Sequence, residues 1–180
     1  MTAAQPTPPA PPVDDKDWTW VLERACPACG FEANLLAPAA IGAAACADVA
    51  RIVRRLADPD AASRPAPQVW SPLEYACHVR DVCRVFGGRL QLLLDEDDPV
   101  FPNWDQDRTA LAEQYWTQDP AVVAAECTEA ADVIAAAFDA VRPDQWVRRG
   151  RRSNGSVFTV QTLGRYFAHD LAHHVHDIGA

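Results

Sequence analysis

The chain has 180 residues, 49% hydrophobic and 23% charged, which suits one ordinary domain with an interior of its own. Its 16 Lys and Arg stand against 25 Asp and Glu, a formal net charge of -9. That acidic balance argues against nucleic acid or an anionic membrane surface as a partner. A small-molecule substrate fits better.

The first residues, MTAAQPTPPAPPVDDKDW, hold five prolines within the first twelve positions. They lack the basic and apolar regions of a signal peptide and read as a disordered, Pro-rich leader over 1–18. Residues 19–180 then form a single domain. The longest apolar runs, such as Leu35 to Ala47, are too short to span a bilayer, and a cytoplasmic location follows by default. The six cysteines are too sparse for a disulfide framework and are expected as thiols. Cys46, Cys77, Cys83 and Cys127 fall within helical apolar patterns and read as small buried hydrophobes. Cys26-Pro27-Ala28-Cys29-Gly30 is different. It is half of a zinc ribbon with no second CxxC, which leaves a loop-bound metal knuckle or a reactive pair as the sharper readings.

Beyond the leader the periodicity is helical. A first helix is expected from about Pro38 to Ala57, ended by Asp58-Pro59-Asp60. The second has the clearest start, a capping box at Ser71-Pro72-Leu73-Glu74. Its stripe Tyr75, Val79, Val82, Phe86, Leu90 and Leu93 faces a core. A loop with Phe101 and Trp104 follows, then a short helix around Arg108 to Trp116. Asp119 caps a third long helix that closes at Pro143. Arg148 to Asn154 reads as a basic, polar loop ending in the turn Asn154-Gly155. The last helix begins near Thr159 and reaches Ile178. Four long helices and no convincing strand predict an all-α four-helix bundle with long connections.

Four of the five histidines crowd into the last helix: His169, His173, His174 and His176. Residues four apart share a helix face, so His169 with His173, or Asp170 with His174, could supply two metal ligands. Leu163, Phe167, Leu171 and Ile178 set the core direction. At about 100° per residue His174 lies roughly 20° from its centre and Asp170 about 60°, while His169 lies nearly opposite. A histidine and a carboxylate turned inward need a partner or a metal. His169 and His176 suit a solvated face. His78, early in helix two, would complete an N,N,O set with open positions: His78, Asp170 and His174. Zinc is the first expectation for such a divalent metal, with nickel or iron as alternatives. The register pairing His169 with His173 stays open.

These residues carry a family resemblance. Trp70-Ser71-Pro72-Leu73-Glu74-Tyr75-Ala76-Cys77-His78-Val79-Arg80-Asp81 resembles the second helix of the DinB/YfiT-like metal-binding bundles, whose His is the first metal ligand. His169 to Ile178 resembles their last-helix ligand pair. Many members use His-x3-His. The branch that includes mycothiol-dependent maleylpyruvate isomerase uses a carboxylate and a His followed by an apolar residue, a spacing that Asp170, His174 and Ile178 match. The resemblance spans roughly Pro38 to Ile178. It implies S-transfer or isomerisation on a small electrophile with a low-molecular-weight thiol, mycothiol given an Ala-, Arg- and Pro-rich composition that suggests a high-GC genome. It also implies that related bundles dimerise through their helices. Hydrolysis on the same centre is one alternative. A non-catalytic bundle with a structural metal or a partner-binding role is another. Arg148, Arg149, Arg151 and Arg152 stand out against the acidic balance, either as solvated surface or as a site for a carboxylate.

Overall fold

In the computed structural model, residues 7–9 and 17–180 are described. The leader expected over 1–18 therefore lies outside the described residues, apart from 7–9, Asp17 and Trp18.

Four long helices carry the architecture: α1 (Ile41–Arg55), α2 (Pro72–Asp95), α4 (Pro120–Asp139) and α5 (Val160–Asp177), with the short α3 (Gln106–Ala112) between α2 and α4. Their starts are written in local chemistry. Ser71 Oγ accepts from the Glu74 amide, and the Glu74 carboxylate accepts from the Ser71 amide, so the expected capping box is present. Asp119 accepts from Ala121 and Val122 to open α4. Thr159 and Thr162 cap α5 reciprocally.

α1 packs on α4 and α5, and α2 packs on α4 and α5, so α1 and α2 sit at opposite corners. Between them Phe86, Phe138 and Phe167 stack with Ile41, Ile52, Leu90 and Leu163 in the core. Two glycines permit the close approach. A Cβ on Gly164 of α5 would lie 2.6 Å from Ile41 Cδ1 and 2.9 Å from the Phe138 ring. On Gly42 it would meet the Ala135 carbonyl at 3.0 Å. No described helix is long and apolar enough to cross a membrane.

The structure departs from an all-helical reading in one place. Residues read as a basic loop form β2 (Arg149–Arg152), which pairs antiparallel with β3 (Val157–Thr159) and parallel with β1 (Val100–Phe101). Asn154-Gly155 makes the hairpin turn, with Gly155 at φ 97 and Asn154 Oδ1 accepting from Ser156. The sheet escaped the sequence because β2 has no alternating apolar pattern. Its hairpin with β3 is local, but its third strand is a two-residue segment some fifty positions earlier that joins by backbone pairing alone. Its effect is to tie the α2–α3 connection to the α4–α5 connection at one end of the bundle.

The segment before α1 is the other addition to the bundle. A short 3-10 helix, Trp18–Leu22, and the turn that follows it lie against the outer face of α5. Val21 and Cys26 are buried there.

Candidate metal centre

α2 and α5 bring His78, Asp170 and His174 together, with their donor atoms all within 4.8 Å of one another. His174 Nε2 lies 3.0 Å from Asp170 Oδ1, and His78 Nε2 lies 3.7 Å from the same oxygen. Two donors on one tetrahedral zinc ion sit about 3.4 Å apart, so the observed pair brackets that spacing. His78 is 1% exposed, whereas the Asp170 side chain is 24% and that of His174 16% exposed. The set is thus sealed on the α2 side and open on the α5 side.

Charge organises this cluster. Burial alone would raise the Asp170 carboxyl, but the hydrogen bond from His174 and the nearness of the His78 ring outweigh it and hold it far below the usual carboxylate range. Burial would lower His174, but Asp170 and Asp177 together push its imidazole up to about 9. Burial keeps His78 neutral, the form that binds metal. Its Nε2 is beyond hydrogen-bonding reach of Asp170, and its Nδ1 is buried without a partner. A cation between His78, Asp170 and His174 would use that idle Nε2, so the donor set fits a divalent metal.

Asp177 is a residue that sequence reasoning undervalued. Its Oδ2 lies 2.9 Å from His174 Nδ1. A carboxylate on the far nitrogen fixes the ring and leaves Nε2 to face the ligand position. The signal was present as the i,i+3 spacing of His174 and Asp177 on α5.

Aromatic rings wall the cluster. Trp104 stacks on His78 at 5.3 Å with 3° between planes, and Tyr75 lies 5.1 Å from His174. Nearby, Arg89 is buried, with its guanidinium over Phe86 and Phe101 and one donor on the Pro102 carbonyl. It has no carboxylate at ion-pair distance among the described residues. Burial, then Arg152, lower it to about 10, with Asp170 acting in the opposite sense. Arg152 lies over Phe158 and Tyr166. The other arginines of the basic stretch are spent on structure or solvent. Arg148 donates to the Leu93 and Glu96 carbonyls, Arg151 pairs with Asp98, and Arg149 is exposed.

His176 is exposed, as its phase predicts. His169 corrects the expectation of a solvated face, since it is 4% exposed. Helical phase measures direction within the bundle only, and the outer face of α5 is covered by chain from the amino-terminal side. The Trp18 ring lies 5.8 Å from His169 and 5.1 Å from His173, and Phe31 lies 5.6 Å from His169. Cys26, Cys29, His169 and His173 form a second donor cluster, again within 4.8 Å. The two registers on α5 thus each meet a partner set of their own. The remaining cysteines, Cys46, Cys77, Cys83 and Cys127, are free thiols, three of them buried.

The family model of the DinB superfamily matches residues 43–178. The chain belongs to the DinB superfamily. Its fold is similar to that of YfiT from Bacillus subtilis, described as a probable metal-dependent hydrolase with an unusual four-helix bundle topology. The match has a TM-score of 0.66 at 18% identity and covers 81% of this chain and 83% of that one. No curated protein matches the chain. The DinB match begins after residues 18–31, so the segment bearing Cys26 and Cys29 lies outside it.

Proposed function

We propose that this DinB protein is a metal-dependent enzyme that joins a low-molecular-weight thiol to a small electrophile, or isomerises it through that thiol. His78, Asp170 and His174 are its metal ligands. The observation that carries the reading is the three-donor cluster, sealed behind His78 and open at Asp170 and His174, with His174 held by Asp177. A divalent metal there supplies Lewis acidity, lowering the pKa of a thiol or a water enough to make it nucleophilic at neutral pH. The chain does the rest. Asp177 orients His174, Trp104 and Tyr75 exclude water from one side, and Arg89 offers an unspent guanidinium to an anionic group. The resemblance of Asp170, His174 and Ile178 to the isomerase-like branch favours a thiol such as mycothiol as co-substrate.

Metal-dependent hydrolysis is the second reading, favoured by the likeness in fold to YfiT. The two separate cleanly in one experiment. The purified chain is stripped, reloaded with zinc, nickel or iron, and offered electrophilic acids and activated esters with and without thiols. S-conjugation or isomerisation that needs both thiol and metal supports transfer. Ester cleavage without thiol moves the assignment to hydrolysis. His78→Ala and His174→Ala should each lower metal content by one equivalent by elemental analysis. Full retention in both variants would remove the centre.

A further inference from the structure

The CxxC turn and the outward histidines of α5 are two features that the centre described above leaves unused. The chain makes a tight turn at the cysteines. The Gly30 amide donates to the Cys26 carbonyl at 2.8 Å and the Cys26 amide donates to the Phe31 carbonyl at 2.9 Å. Gly30 takes φ 75, a conformation that L side chains rarely adopt. Both sulfurs then face His169 and His173, one helical turn apart on α5.

We propose that Cys26, Cys29, His169 and His173 form a second, closed metal centre that binds Zn²⁺ and staples the amino-terminal segment onto α5. Three observations converge on it. All four donor atoms lie within 4.8 Å of one another. Cys26 Sγ is 3.6 Å from His173 Nδ1. A sulfur at about 2.3 Å and a nitrogen at about 2.0 Å from one tetrahedral zinc would be separated by about 3.5 Å. Finally, His169 Nε2 is buried with no hydrogen-bond partner, a cost that a metal bond removes.

The donor set chooses the ion. Two sulfurs and two imidazoles favour zinc over calcium or magnesium, which take oxygen ligands. Binding releases both thiol protons to solvent, so two thiolates balance the charge of Zn²⁺ and the half-buried centre is neutral. Four protein ligands leave no open position, which marks a structural rather than a catalytic site. The rings of Trp18 and Phe31 pack against its histidines and shield it. His173 and His174 are consecutive on α5, so an ion held by His173 also fixes the helix that presents Asp170 and His174.

Cobalt is the direct probe. The full chain, reduced and stripped with a chelator, is titrated with Co²⁺ and followed by absorption. Two equivalents should bind, with a near-ultraviolet thiolate-to-cobalt band and tetrahedral visible bands. Cys26→Ser/Cys29→Ser should lose the thiolate band and one equivalent, keeping the other. His78→Ala should do the reverse, keeping the thiolate band while its own equivalent disappears, so failure at one centre is distinguishable from failure at the other. X-ray absorption on the zinc-loaded unaltered chain provides a reading that needs no variant, with a sulfur shell expected at about 2.3 Å. Absence of the thiolate band and of the sulfur shell in the unaltered chain, or a Cys26–Cys29 disulfide in the metal-loaded protein, overturns the proposal.

Discussion

His174 sits between two carboxylates, and the consequence differs with and without metal. In the metal-free chain Asp170 and Asp177 hold it protonated up to about pH 9, well above the usual 6.5 for histidine. A raised folded-state pKa gives stability that is complete below the unfolded value and is lost as pH rises through the folded one. Asp170 is depressed, so its contribution is present above the usual carboxylate range and is lost only on strong acidification. The thermal midpoint of the chelator-treated chain should therefore fall between about pH 6.5 and 9, and His174→Gln should flatten that slope. A midpoint that rises over the same interval would contradict the charge arrangement. Metal must displace the His174 proton, so affinity should climb with pH across the same window. Asp177→Asn should weaken metal binding by roughly 10- to 100-fold, the usual cost of removing an outer partner of a histidine ligand. The inward pair was legible in the sequence because phase alone aims Asp170 and His174 at the bundle. The burial of His169 was not, because its cover comes from Trp18 and Phe31, far away in the chain.

At the scale of elements, the helices follow from local signals and their packing does not. Ser71, Asp119 and Thr159 announce three starts, since a side-chain oxygen must satisfy amides with no partner inside the helix. Of the three-stranded sheet only the Asn154-Gly155 turn was signalled, because Arg149 to Arg152 carry no apolar alternation and the pairing of Arg151 and Arg152 with Val100 and Phe101 joins residues distant in sequence. Gly164 is another case in which only the packed structure shows the reason for the residue. Phase places it on the core side of α5, but only the structure shows Ile41 and Phe138 filling the space a methyl would need. Gly164→Ala should destabilise the chain by about 1–3 kcal/mol through overpacking, despite the better helix propensity of alanine. Chemical denaturation would show this as a lower midpoint with an unchanged slope. Ile41→Val, which shortens the colliding branch, should restore part of the loss. A stabilised Gly164→Ala would mean that α5 and α1 are less tightly set than the 2.6 Å approach requires.

The whole molecule has two attachments of different character on one helix. α5 is held inward by the packing of Phe167 and Leu171 in the core, and outward by the segment from Trp18 to Phe31. The inner attachment is a large apolar interface and should survive loss of metal. The outer one fully buries only small side chains such as Val21 and Cys26, so an ion shared by Cys26, Cys29, His169 and His173 would hold most of it. A ligand at 100 times its dissociation constant stabilises the bound form by about 2.7 kcal/mol, which lowers the population of the opened form by about 100-fold. Hydrogen exchange can read this segment by segment. Chelation should speed exchange of the Cys26 and Gly30 amides, which donate to Phe31 and Cys26 carbonyls, by about that factor. Amides within α4, which contributes a donor to neither cluster, should keep their protection. Equal acceleration in α4 and at the cysteine turn would mean that metal stabilises the bundle as one unit, and the outer segment would then be an integral layer of the fold rather than a strap fastened to it.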